Sequence, residues 1–213
     1  RFDVLWLLYH ARDLEKQCGI GPHTVSVPRI EPAANTPFNQ QTGYGVSDRD
    51  FKRLIAVLRL SIPYAGMIIT CREKPEFIRD VIPMCTQRDA SSRIGIGAYS
   101  DRYESQEGER QQFILGDTRS LDEVIRELAG MGYITSFCTA GYRCGRTGKN
   151  IMTLLRTGKE GCFCKLNAIL TFQEWLEDFA SPETKRIGEA IIEKEIAEVR
   201  RRTHTDFTPQ IVE

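Results

Sequence analysis

Seven cysteines occur in the 213 residues, and four of them, Cys138, Cys144, Cys162 and Cys164, fall in one run, "SFCTAGYRCGRTGKNIMTLLRTGKEGCFCKLN" (136–167). Thiolates are soft ligands that suit zinc and iron–sulfur clusters. Structural zinc sites usually pair their cysteines as C-x-x-C, a spacing this run lacks. Arg143, Arg146, Lys149, Arg156, Lys159 and Lys165 lie among the thiols. Neighbouring cations stabilise thiolates and suit an anionic cluster. An odd cysteine count without secretory context points to reduced thiols or metal ligands rather than a disulfide framework. Spacing alone leaves metal binding and simple burial of small apolar side chains as equal readings.

Other residue types carry chemistry elsewhere. Arg93 stands beside Ser92 in "QRDASSRIGIGAY" (87–99), before a glycine-bearing loop. A guanidinium grips a carboxylate through two parallel bonds, and an adjacent hydroxyl adds a third; the plain alternative for Arg93 is a surface ion pair with Asp89. Arg29 follows "VSVP" and occupies another strand end, where its plain alternative is a surface salt bridge to Glu31. His23 in "GPHT" precedes the same strand. Its plain reading is a loop histidine held by hydrogen bonds. Arg143 and Arg146 either neutralise a cluster or form a solvated basic loop. The "GIG" runs at 19–21 and 95–97 do not extend to G-x-G-x-x-G, so tight turns explain them. Trp175, Leu176 and Phe179 read as a helix packing face.

The elements that must position these groups follow from pattern. A helical period covers 2–17, and "TVSVPRI" (24–30) reads as a strand. A loop with two prolines, 31–45, precedes a helix capped by Ser47. A buried strand at 65–71, a helix at 74–82 and a strand within 84–100 come next. Ser120 with Glu123 forms a capping box, Thr171 with Glu174 another, and Ser181–Pro182 opens a charged helix over roughly 182–202. Strands alternating with helices pair in parallel through right-handed crossovers. The fold expected is α/β. Residues 1–130 form either a small open sheet or the second half of a (β/α) barrel, and a mainly helical region follows over 131–213.

Hydrophobic residues make up 41% and charged residues 27%, with 29 cationic and 29 anionic side chains, which favours a folded chain over a phosphate-backbone binder. Neither nucleic acid nor membrane is expected as a partner, and the setting expected is cytoplasmic. The chain opens on Arg1 inside an amphipathic pattern, so a piece of something longer is expected.

Three stretches, "GPHTVSVPRIEPA" (21–33), "FILGDTRSLDEVIRELAGMGYITSFCTAGYRCGRTG" (113–148) and "CKLNAILTFQEWLEDFA" (164–180), resemble the HydG family of FeFe-hydrogenase maturases. These are radical S-adenosylmethionine lyases that cleave tyrosine to p-cresol and dehydroglycine, then convert the latter to carbon monoxide and cyanide on iron. The resemblance implies the second half of the barrel followed by an auxiliary iron–sulfur domain. It implies a 4Fe-4S cluster in this chain, with an additional iron. S-adenosylmethionine and a second 4Fe-4S cluster would belong to the complete enzyme, on a C-x-x-x-C-x-x-C motif that this chain lacks. That motif would come from an N-terminal half or partner chain, and the further partners implied are tyrosine and other hydrogenase maturation proteins.

Residue by residue, the resemblance puts cluster ligands at Cys138 and Cys164. The family's middle ligand falls on Gly141, so Cys144 is taken as the third, with His23 on the additional iron. Arg143 and Arg146 would flank the cluster. Ser92 and Arg93 would hold the substrate carboxylate, and Arg29 would face S-adenosylmethionine or substrate. Leu166, and the stretch 87–99, also depart from the family pattern. The alternative is a non-catalytic iron–sulfur or scaffold protein derived from the same fold.

Overall fold

A computed structural model of the chain describes residues 2–31, 33, 36–94, 113–137, 148–157 and 161–206. The chain divides into two compact units, Arg1–Arg119 and Ser120–Glu213.

The first unit begins with α1 (Phe2–Cys18), β1 (Thr24–Ser26), α2 (Pro37–Gln41) and α3 (Asp48–Ser61). It continues with β2 (Gly66–Ile69), α4 (Pro75–Val81), a 3-10 turn (Ile82–Met84) and β3 (Gln87–Arg88). Among the described residues the strands form one open sheet in the order β1-β2-β3, and both pairs are parallel. The register sets Thr24 against Gly66 and Ile69 against Arg88. An open parallel sheet followed by a helical region is compatible with a partial barrel and a helical domain.

Local chemistry sets these elements. The Ser47 hydroxyl accepts from the Asp50 amide at 3.2 Å, and Asp48 and Asp50 face the positive end of α3. Phe51, Ile55 and Leu58 make the buried stripe of α3, and Phe51 stacks on Phe77 of α4 at 5.4 Å. Arg59 donates to the carbonyls of Met84 and Ala65, both at 2.9 Å, so one side chain anchors the approaches to β2 and β3. Leu7, Leu8 and Ala11 of α1 pack with Val25, Ile62 and Ala65. Gly66 is required by crowding: a Cβ there would lie 3.0 Å from Thr24 and 3.1 Å from Thr86.

All three strands are shorter than expected, β2 by one residue at its start and two at its end. β1 ends before Pro28, which has no N–H to continue a ladder. β3 pairs only over Gln87–Arg88, and residues 95–112 lie outside the described ones. The 31–45 loop contains α2, opened by Pro37 in its first turn.

The second unit is helical: α5 (Leu121–Gly130), α6 (Gly148–Thr157), α7 (Gly161–Asp178) and α8 (Pro182–Asp206). The capping box at Ser120 forms, with its amide 2.9 Å from Glu123 Oε2. Ile125, Ala129, Ile169, Phe172, Trp175 and Leu176 build the core with α8. A Cβ at Gly188 would meet Leu176 at 2.6 Å, so α7 and α8 touch closely there. Asp122, in the first turn of α5, accepts from the Ser181 amide, the Ser181 hydroxyl and the Thr184 hydroxyl, at 2.9, 2.8 and 2.9 Å. The second expected capping box is overturned. Thr171 lies inside α7, and its hydroxyl donates back to the Asn167 carbonyl at 2.9 Å. Ala168, Ile169, Phe172 and Leu176 continue one buried stripe through that point, and burial outweighs the local cap signal. Trp175 and Leu176 are buried as expected of a packing face, while Phe179 is exposed. No helix among the described residues is long and apolar enough to cross a membrane.

Candidate functional site

In a parallel sheet every strand delivers its following loop to the same edge, which is where ligands bind in such folds. Here that edge receives Arg29 after β1, Cys71, Arg72 and Glu73 after β2, and Asp89, Ser92 and Arg93 after β3. The segment 113–117 lies along the turn after β2. The Gly116 amide donates to the Arg72 carbonyl at 3.1 Å and the Asp117 amide to the Cys71 carbonyl at 2.9 Å. A side chain at Gly116 would collide with the backbone of Arg72 and Glu73.

A cleft of about 720 Å³ opens at this edge, lined among others by Arg29, Glu31, Arg72, Glu73, Lys74 and Phe77. Glu73 is buried, at 2% exposure, and takes Arg29 through both carboxylate oxygens. Arg29 also donates to the Val46 carbonyl at 2.9 Å and to Asp48 at 2.7 Å. Its guanidinium lies 4.8 Å from the ring centroid of Phe51 and 5.0 Å from that of Phe77. Burial would lower the Arg29 pKa, but the bonds to Glu73 and Asp48 hold it above its ordinary value. The alternative expected for Arg29, a salt bridge to Glu31, is replaced by these two partners. Burial, and then the neighbouring charge of Glu73, raise the Glu31 carboxyl above the ordinary range. Arg72 stacks over Phe113 at 3.9 Å.

A second polar group lies beyond β2 and β3. Asp89 Oδ1 accepts from the Cys71 amide at 2.8 Å. Its Oδ2 accepts from the Cys71 thiol at 3.1 Å and the Ser92 hydroxyl at 3.2 Å. Burial pushes the Cys71 thiol up to about 11, with the Asp89 charge adding to it, so the sulfur stays a thiol donor near neutral pH. Ser91 has φ +57°, a left-handed conformation that a non-glycine residue rarely adopts. Ser92 is half-buried and Arg93 is exposed. Behind this edge Asp117, at 3% exposure, pairs with Arg88 and accepts from Arg119 Nε at 2.9 Å and Nη2 at 2.8 Å. Burial alone would raise its carboxyl; the Arg119 bonds and the Arg88 charge hold it below the ordinary range.

The expected metal chemistry is corrected. No group of three or more His, Cys, Asp or Glu that could hold a metal ion occurs among the described residues. Cys164 is exposed on the first turn of α7. Cys71 is buried and bonded to Asp89, and burial pushes Cys85 up to about 11 as well. His23 lies at the opposite end of β1 from the loop edge, where its carbonyl accepts from Gly66 at 2.8 Å. Cys138, Cys144, Arg143 and Arg146 lie outside the described residues. The described residues therefore do not make up a ligand set for the auxiliary 4Fe-4S cluster with its additional iron. The described residues likewise supply no ligand set for the second 4Fe-4S cluster, or for the S-adenosylmethionine that would bind it.

Glu73 and Asp117 are not among the sequence candidates, and Asp89 enters there only as the plain partner of Arg93; in the structure its carboxylate takes Cys71 and Ser92. The signal for these three acids was a position just past a strand, or two residues from an arginine, in "TCRE", "QRDA" and "GDTR".

Residues 26–134 match the Biotin and Thiamin Synthesis associated domain. No curated protein matches the chain. The crystal structure of HydG, a maturase of the FeFe-hydrogenase, superposes with a TM-score of 0.82 at 41% identity, over 98% of this chain and 47% of that one. The X-ray structure of the FeFe-hydrogenase maturase HydG from Carboxydothermus hydrogenoformans gives 0.72 at 33% identity, over 96% of this chain and 43% of that one. The chain thus spans about half the length of the maturases it matches. It belongs to the family of the Biotin and Thiamin Synthesis associated domain and is homologous along nearly its whole length to part of a HydG-like maturase.

Proposed function

We propose that the chain supplies the substrate-binding half of a radical S-adenosylmethionine tyrosine lyase that serves hydrogenase maturation. The observation that carries this reading is 41% identity to HydG across 98% of the chain, with a TM-score of 0.82. The tyrosine carboxylate would lie against the Arg93 guanidinium at the loop edge of the parallel sheet, while Ser92, whose hydroxyl proton goes to Asp89, would offer its oxygen to the substrate's amino group. Arg29 would serve the same substrate from the neighbouring strand end, with most of its donors committed to Glu73, Asp48 and Val46. The partner is the remainder of a maturase, as a domain or a separate chain, which generates the radical. Loss of a hydrogen atom from tyrosine to that radical would let its Cα–Cβ bond break into dehydroglycine and a ring-bearing radical, which takes up one electron and one proton, supplied by the remainder of the maturase, and leaves as p-cresol. Carbon monoxide and cyanide, made from dehydroglycine, are products of the complete maturase.

A chimera tests this directly: the matched half of HydG is replaced by this chain and p-cresol release from tyrosine is measured. Release that is abolished by Arg93→Ala is the expected result. A folded chimera that releases none would favour a scaffold that kept the fold without the chemistry.

A further inference from the structure

We infer that Asp89 is the positioning residue of the Ser92–Arg93 grip, bridging the ends of β2 and β3 and fixing the turn that presents both side chains. The inference rests on the proposed lyase reading. Its geometric basis is the bridge itself. Ile69 and Arg88 are the last register partners of β2 and β3. One residue past Arg88, a single carboxylate reaches back to the Cys71 amide and thiol and forward to the Ser92 hydroxyl. Both its oxygens are taken by donors from the strand ends and the turn, which fixes the carboxylate as the tie between them.

The turn needs such a tie. Ser91 at φ +57° holds a conformation that an L side chain disfavours, and it persists only where its surroundings fix it. Asp89 and Ser92 are the bonded pair that brackets it. With the bridge removed, Ser91 can relax to negative φ, and Ser92 and Arg93 then turn away together. Such a change weakens binding of the ground state and transition state alike, so it is read in KM rather than kcat.

The chimera provides the first test. Asp89→Ala raises KM for tyrosine about tenfold with kcat held within about twofold, the scale of one lost buried hydrogen bond or two. Asp89→Asn keeps a carbonyl acceptor for the Cys71 amide and restores most of the affinity. An unchanged KM in Asp89→Ala, beside a damaged Arg93→Ala, overturns the positioning role alone. A parent chimera that is folded but inactive overturns the lyase reading, and the inference falls with it.

The second test needs no turnover. In the 213-residue chain, iodoacetamide labelling resolved by peptide mass spectrometry reads the reactivity of Cys71 against Cys85. Asp89→Ala should speed Cys71 labelling about tenfold, because the thiol loses both its acceptor and the adjacent negative charge. Equal labelling in parent and variant would show that no bridge protects Cys71, and would overturn the inference.

Discussion

The strand-end edge of the first unit and the helical core of the second are held by different forces. At the edge, charged groups do the joining: Glu73 to Arg29, Asp117 to Arg88 and Arg119, Asp89 to Cys71 and Ser92. In the helical unit, apolar side chains do most of it, with Phe172 and Leu176 fully buried, beside Asp122 joining two helix starts and the ion pairs of Arg126 with Glu183 and of Lys165 with Glu195 and Glu198. Apolar packing stabilises without fixing directions. Charged pairs fix directions, at a desolvation cost that their attraction about offsets. The contrast identifies the edge as the part of the molecule whose geometry is specified atom by atom.

Breaking one partner of the edge network gives the largest effect. Glu73→Ala leaves the Arg29 guanidinium, between Phe51 and Phe77, with the exposed Asp48 as its remaining counter-charge, and should cost about 3 kcal/mol in urea unfolding. The double variant Glu73→Leu with Arg29→Met removes both charges and should recover most of that loss. If the double variant is as unstable as the single, the edge is held by net ion-pair attraction and the contrast with the helical unit fails.

A smaller effect is set by pH. The Asp117 carboxyl is depressed in the folded chain, so its contribution is fully present above the unfolded value, near 3.8, and is lost as pH falls through the folded value below it. Unfolding midpoints should therefore drop on acidification from about pH 4 downward. Asp117→Asn should flatten that drop while lowering stability at neutral pH. An acid slope that is identical in the variant would assign the loss to other carboxylates.

The smallest effects sharpen the helical side. Ser120→Ala removes a real N-cap and should cost about 1 kcal/mol. Thr171→Ala, in mid-helix, should be neutral or slightly stabilising, since alanine is the better interior residue. A loss of the same size at both positions would restore Thr171 as a cap.

These cases show which features were legible in the sequence. Caps at Ser47, Ser120 and Ser181 could be read because each closes within three residues. The parallel pairing followed from strands that alternate with helices. The Thr171 signal was equally local but lost to a buried stripe that only packing reveals. The site was half legible. Ser92 and Arg93 could be placed beyond a strand, but the groups that hold that edge are joined across 44 residues for Arg29 and Glu73 and 29 for Arg88 and Asp117. Residue types alone do not choose partners over such distances. His23 could have been placed better: a residue before a parallel strand lies at the edge opposite to one that follows it.

Asp122 has a consequence that is measured in time. Its hydrogen-bond donors lie 59 and 62 residues downstream of it. A ribosome adding about 5–20 residues per second leaves roughly 3–12 seconds between making the acceptor and making its partners. In that interval α5 can form behind its own capping box, with Asp122 facing the helix's positive end. The start of α8 has its own Ser181 cap, but its Ser181 and Thr184 hydroxyls also close on a carboxylate already fixed in α5. The order of synthesis is thus also an order of assembly, in which the older helix serves as template for the younger.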